Sequence, residues 1–367
     1  MITKKNNLPV LGAFILILTF IGTKAFCQSY PVINVDTVDA TKLKEEKAEL
    51  SIPGDVKRVN KILQIKETIK IPEPIDYSDL AGPIISDGII YLNTGDTLRS
   101  YNLETGEETA LPDTTYPGRY AIEEFYKKKP VQGILGTSYD KIPHIASIDR
   151  LTGDTLWTGQ EDIYYPTYEA REISIVQYKE KGEFIINPKT GEKLFKLAGL
   201  KFSISEIKVE NDILYLLTGN LDEYRITAIN LEKGKVIWRV KGDFYDFFID
   251  DTRIYTNNRF ALDKKTGEVI WHIPSKTDIE GVVGGCLIAY IPGGPDDDSY
   301  LYLYDKQTRK PVGYLFHNNK FCNNCFGYSN CDPYFDFAGE GEGNKTAARI
   351  KCEDGLYLCT FEIAGEE

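Results

Sequence analysis

The chain has 367 residues, of which 42% are hydrophobic, 27% charged and 12% aromatic. That composition excludes a disordered or collagen-like chain and suits either two or three ordinary domains or one large closed all-β fold. Lysine and arginine number 43 against 55 aspartates and glutamates, a net charge of −12, so neither nucleic acid nor an anionic membrane surface is an expected partner.

Residues 1–27 read as an export signal. Lys4 and Lys5 form the charged start, Leu8 to Gly22 is apolar apart from Pro9 and Thr19, and Ala25 and Cys27 occupy the −3 and −1 positions of a cleavage site before Gln28. The apolar run is shorter than the about 20 residues a spanning helix needs. Export to the periplasm or envelope of a Gram-negative bacterium is expected, with no span left after cleavage. A lipid anchor on Cys27 is the alternative, against which stands the bulk of Phe26. Residues 28–56 form an acidic leader, and 57–367 the folded body, whose first strand is expected within 57–71.

The body repeats itself. Six segments share an apolar run, a polar pair, Thr-Gly or a close variant, and a short strand: Tyr101-Asn-Leu-Glu-Thr-Gly106, Ser147-Ile-Asp-Arg-Leu-Thr-Gly153, Ile185-Ile-Asn-Pro-Lys-Thr-Gly191, Ile229-Asn-Leu-Glu-Lys-Gly234, Leu262-Asp-Lys-Lys-Thr-Gly267 and Tyr304-Asp-Lys-Gln-Thr-Arg309. The anchors are spaced by 47, 38, 43, 33 and 42 residues, the length of four short strands with their turns. A glycine after a short polar run supplies the positive φ of a hairpin turn. Flanking runs such as Ile89-Ile-Tyr-Leu and Leu214-Tyr-Leu-Leu carry the β-branched and aromatic residues that strands favour. Four positions after the anchor stand Trp157, Phe195, Trp238 and Trp271, with Ala110 and Gly313 in the first and sixth copies. These aromatics suit the wedge between neighbouring units.

The pattern Leu-Asp-x-x-Thr-Gly-Glu-x-x-Trp at Leu262 to Trp271 resembles the repeat of the PQQ-like, quinoprotein-type β-propellers, over roughly residues 80 to 317. Their non-enzymatic branch includes the outer-membrane-protein assembly factor B. The leader from Asn34 to Glu49 also looks like that of six-bladed propellers exported by gut-type Gram-negative bacteria. The resemblance implies an all-β single propeller of four-stranded antiparallel blades. Strands expected at 334–338, 346–352 and 355–363, joined by 57–71, would make a composite closing blade that pairs otherwise open edges. Seven blades are expected, with six as the alternative. Quinoprotein dehydrogenases resemble larger rings with adjacent cysteines over the cofactor, which this chain lacks, so no cofactor is expected.

Chemistry-bearing motifs are few. His144, His272 and His317 fall in no serine or cysteine constellation. Asp296, Asp297 and Asp298 in the loop Pro292–Ser299 offer oxygens to a hard cation without the spacing of a calcium loop, and a solvated hairpin tip is the plainer reading. Loss of Cys27 leaves six cysteines, Cys286, Cys322, Cys325, Cys331, Cys352 and Cys359, which an exported chain is expected to pair as disulfides. Cys322-x2-Cys325-x5-Cys331 with His317 also reads as a metal knuckle. Residues 318–345 are expected as a Cys-rich insertion. Aromatic and acidic residues interleave at Asp162–Tyr168, Asp243–Phe248 and Tyr328–Phe337. Tyr164, Tyr165, Tyr168, Tyr245, Phe248, Tyr328 and Tyr334 are therefore the candidates for a binding surface. The expected function is a non-catalytic exported scaffold that binds an envelope protein or an extended peptide through its loop face. Glycan binding, or a glycan-active enzyme using the aromatic–acidic loops, is the alternative.

Overall fold

The repeated Asx-x-x-Thr-Gly segment folds as a hairpin turn held by its own side chains. Oδ1 of Asn102 accepts from the amides of Glu104 and Thr105 at 2.8 and 3.0 Å, and Oδ1 of Asp263 from those of Lys265 and Thr266 at 2.9 and 2.8 Å. Asn187 and Asp305 repeat the arrangement. The threonine hydroxyl then accepts the amide two residues on, at Glu107, Glu192 and Glu268. Such side-chain bonds satisfy backbone donors that a tight turn would otherwise strand. The anchor closes the turn in the left-handed region, with φ of 68° at Gly106, 73° at Gly191, 59° at Gly234 and 72° at Gly267. Arg309 adopts the same conformation at 62°.

A computed structural model of the chain describes residues 30–43, 61–71, 83–93, 98–110, 120–133, 136–149, 152, 154–159, 163–170, 173–179, 181–200, 202–220, 223–257, 260–273, 277–291, 300–315, 335–352 and 355–365. Their architecture is all-β, with one 3-10 turn at Val35–Thr37. Sheet I holds Ile84–Ser86, Ile89–Asn93, Leu98–Asn102 and Glu108–Thr109 in that order. Sheet II holds Tyr120–Gly133, Gly136–Asp149 and Thr155–Gly159. Sheet III holds Ile163–Ala170, Ile173–Tyr178, Gly182–Ile186 and Lys193–Ala198; sheet IV holds Ser203–Glu210, Ile213–Gly219, Tyr224–Asn230 and Lys235–Gly242. Sheet V holds Phe247–Ile249, Arg253–Thr256, Phe260–Asp263 and Val269–His272. Within each, successive strands pair antiparallel, and the anchor turn precedes the last, outer strand. The chain is a β-propeller built from such four-stranded antiparallel blades.

Sheet VI has eight strands in two halves. The first half is Asp278–Val283, Cys286–Ile291, Tyr300–Asp305 and Pro311–Leu315. The closing half, from the inside outward, is Phe335–Phe337, Lys345–Cys352, Gly355–Gly365 and the N-terminal strand Lys61–Ile71. The last two pair antiparallel from Leu356↔Ile71 to Gly365↔Lys61. Three strands from one end of the chain and one from the other thus make a single sheet, as the spacing of the terminal strands led us to expect.

Buried apolar residues form layers between successive sheets. Ile145 and Trp157 meet Val176 and Phe184 between II and III. Ile175 and Leu197 meet Ile207 and Leu214 between III and IV, and Tyr215 and Trp238 meet Phe247 and Leu262 between IV and V. Tyr255 and Trp271 meet Leu287 and Tyr302, Cys286 and Leu303 meet Phe337 and Cys359, and Leu358 meets Ile90 and Tyr101 of sheet I.

The wedge residues lock these layers. A Cβ on Gly191 would lie 2.9 Å from the Trp157 indole, on Gly234 3.0 Å from the Phe195 ring, and on Gly267 2.6 Å from the Trp238 indole. Each aromatic of one sheet therefore seats on the anchor glycine of the next, where no side chain fits. Trp157 Nε1 donates to the Pro188 carbonyl at 2.7 Å and Trp238 Nε1 to that of Lys264 at 3.1 Å, each three residues before the anchor. The residue preceding the aromatic is a β-bulge, skipped between Thr155 and Trp157, Val236 and Trp238, and Val269 and Trp271. A bulge re-aims the following side chain and leaves Leu156, Ile237 and Ile270 exposed.

Candidate functional site

The first strands of sheets I, III, IV, V and VI, with the Phe337–Gly343 segment, surround a central cavity of about 950 Å³. Its polar lining is mainly acidic: Glu206, Glu210, Asp246, Asp250, Asp251 and Glu340 against Lys208 and Lys306. Strand alternation explains part of this, because Glu206, Lys208 and Glu210 lie two apart while Ile207 packs into the core.

Lys208 is the hub. Its Nζ lies 3.2 Å from Glu206 Oε1 and 4.0 Å from Glu340 Oε1, donates to the Phe247 carbonyl at 2.6 Å, and sits over the Phe247 and Phe248 rings. Burial works against its charge, but Glu206, Glu340 and Asp246 outweigh that and hold the ammonium protonated well past the ordinary lysine range. Glu206 moves the other way. Burial, reinforced by the charge of Asp246 and a hydrogen bond with it, pushes its carboxyl up to about 8 despite Lys208.

Asp250, Glu210 and Glu340 are tied into the scaffold. Asp250 accepts from Tyr255 Oη at 2.8 Å and Lys306 Nζ at 3.0 Å; burial raises its pKa, but the Thr252 amide, Lys306 and Tyr255 together bring it below the usual range. Glu210 pairs with Lys264. Glu340 accepts from the Ile249 amide at 3.0 Å.

Glu340 belongs to a crossbar, Ala338–Asn344. The Val282 amide donates to the Gly339 carbonyl at 2.6 Å, and the Gly341 amide to the Val282 carbonyl at 2.7 Å. The Gly88 amide donates to Glu342 Oε2 at 2.6 Å. Side-chain-free backbone is required: a Cβ on Gly341 would meet the Lys345 carbonyl at 2.4 Å and one on Gly339 the Phe248 ring at 3.0 Å. Sheets I, IV, V and VI are thereby cross-linked at the cavity.

The binding-surface candidates are distributed unevenly. Tyr168 lines the cavity, where burial raises its pKa and its hydroxyl donates to the Ile204 carbonyl. Tyr164 and Tyr165 belong to the same strand, beside an irregularity in its pairing. Tyr245 is 60% exposed, on the link between sheets IV and V. Phe248 also lines the cavity, but at 5% exposure it packs mostly in the layer against Leu287 and seats Gly339, so it belongs to the cavity wall rather than to the outer loop face. Tyr328 and Tyr334 lie outside the described residues, as do residues 1–27, expected as a signal, the loop Pro292–Ser299, His317, Cys322, Cys325 and Cys331. Cys352 ends the strand Lys345–Cys352. Cys286 and Cys359 are both buried, in one apolar cluster of sheet VI.

Sequence reasoning did not single out Glu206, Lys208 or Glu340. The signals were the alternation Glu206-Ile-Lys208-Val-Glu210 and the glycine-spaced Gly339-Glu-Gly-Glu-Gly343.

No protein-family model matches the chain, and no curated protein matches it in sequence. Among solved structures it is similar to BamB from Moraxella catarrhalis, with 11% identity over 82% of this chain and 98% of that one at a TM-score of 0.43. It is similar to the Pan2 WD40 domain of Neurospora crassa, with 11% identity over 81% and 95% of the two chains at a TM-score of 0.46. The computationally designed Ika8 protein gives 11% identity over 78% and 98% at 0.42.

Proposed function

We propose that the protein is an exported, non-catalytic propeller that binds another protein, or an extended peptide of one, through the loop face on which Tyr245 stands. Tyr245 carries the reading. Among the described residues it is the most exposed large hydrophobic side chain, yet its backbone is fixed, the Tyr245 and Asp246 amides both donating to Asn257 Oδ1 at 3.0 and 3.1 Å. A rigidly held, exposed aromatic is the kind of anchor around which interface energy concentrates. Asp243 is exposed two residues earlier, which favours a basic partner segment.

The pair of Glu206 and Asp246 does not make a glycosidase site. Glu206 has the raised pKa of a general acid, but it hydrogen-bonds Asp246 directly. The two carboxyls of a glycoside hydrolase stand about 5–9.5 Å apart to admit the sugar or a water. Glu206 and Asp246 leave no such gap.

A photo-reactive phenylalanine in place of Tyr245, irradiated in envelope-intact cells, tests the reading. The expected product is one discrete protein adduct, absent when the probe replaces Val269, which is also exposed but stands on the outer strand of sheet V. Adducts identical at both positions would overturn it, and loss of an oligosaccharide ligand in Tyr245→Ala would favour the glycan reading.

A further inference from the structure

Sheet II differs from its neighbours. Its first two strands, Tyr120–Gly133 and Gly136–Asp149, have 14 residues each, against 3 to 8 for the strands of sheets III to V. The third strand covers little of this length, pairing only with Ile145 to Ile148. From Phe125↔His144 to Gly133↔Gly136 the hairpin is two-stranded among the described residues, nine register pairs that reach about 30 Å.

The composition of this arm is unlike that of the body. Residues 125–144 hold Lys127, Lys128, Lys129 and Lys141 against Asp140, a formal charge of +3 on a chain of −12. Register sets Lys128 directly opposite Lys141, flanked by the pairs Tyr126↔Pro143 and Pro130↔Tyr139. Two-residue alternation puts these six positions on one face of the ribbon. A two-stranded ribbon in water is marginal by itself. That cost falls if an acidic strand lies along the arm, adding backbone bonds at an edge where the sequence is net positive.

We propose that this arm is a second docking element, which takes an extended acidic segment of a partner protein as a third strand. It is independent of the Tyr245 face. The probe is a short fluorescent peptide alternating aspartate with valine, titrated into the full mature protein at low and high salt, with a lysine–valine peptide as control. The acidic peptide should bind, weaken with salt, and slow amide exchange in 125–133 or 136–144. Reversing Lys127→Glu, Lys128→Glu and Lys141→Glu together should weaken it about tenfold or more. A second variant, with residues 127–142 replaced by an Asn-Gly turn, should also lose the peptide while keeping its melting transition and its Tyr245-dependent adduct. Equal binding of the lysine peptide, or binding indifferent to the charge reversal, would overturn the proposal. So would self-association relieved by the reversal, or a preference for phosphatidylglycerol vesicles over the peptide.

Discussion

Arg309 stands at φ 62° in the turn position that glycine fills at 106, 191, 234 and 267, and an L side chain in that conformation costs about 1–2 kcal/mol. Its Cβ also occupies the place where the sister aromatics rest. Trp271, the aromatic that should seat there, is 6% exposed with an Nε1 that has no partner. The carbonyl it would reach, Lys306, accepts from Arg253 Nη1 at 2.9 Å instead. Arg309→Gly should therefore raise stability by about 1 kcal/mol in urea unfolding. Trp238→Phe should cost about 1 kcal/mol more than Trp271→Phe, because only the former breaks a hydrogen bond.

Glu206 adds a pH dependence at the same scale. Its folded pKa is raised, so the stability it contributes is full below the unfolded carboxylate value and is lost as pH rises towards about 8. Asp250 and Asp263 are lowered, although burial opposes it, mainly by the amides of Thr252 and of Thr266 respectively, so their contribution is lost as pH falls below the usual carboxylate range. Melting temperature against pH should decline on both flanks, and Glu206→Gln should flatten only the decline between the usual carboxylate range and about pH 8.

Among the elements, the leader strands do more than lead. Val32–Asn34 pairs parallel to Lys196–Ala198 on the outer edge of sheet III, and Thr41–Lys42 to Val240–Lys241 on that of sheet IV. Between them Ile33, Val35 and Leu43 are buried, and Asp36 pairs with the buried Arg239 at 2.9 Å. A chain starting at Lys44 should lose about 5 kcal/mol or more, from three aliphatic side chains and an orphaned guanidinium. A chemical-denaturation midpoint unchanged by that truncation would show the pairing to be dispensable. The crossbar should prove equally exacting: Gly341→Ala forces a Cβ against the Lys345 carbonyl and should destabilise by about 2–4 kcal/mol.

For the whole molecule, closure rests on the strand Lys61–Ile71. A Cβ on Gly106 would meet Glu67 at 3.0 Å and Ile69 at 3.3 Å, so this strand serves sheet I as the outer aromatics serve the others. Counting the closing half as a blade, we propose seven rather than six. Substitution of Ile69, an outer-strand residue in the layer between the closing half and sheet I, by aspartate should abolish cooperative unfolding, since it opens the seam beside the sheet in which the two ends of the chain meet.

The turn chemistry, the wedge aromatics and the composite closing sheet were legible in the sequence, because each depends on residues a few positions apart and recurs at a fixed spacing. Even the arm left a trace, since the interval from Gly106 to Gly153 is the longest of the five at 47 residues. The central charge cluster was not legible. Glu206, Asp246 and Glu340 come from three sheets and meet only because a closed ring turns its first strands inward. The burial of Phe248 was illegible for the same reason: residue type says what a side chain is able to do, and only its place in a tertiary layer decides how much of it solvent reaches.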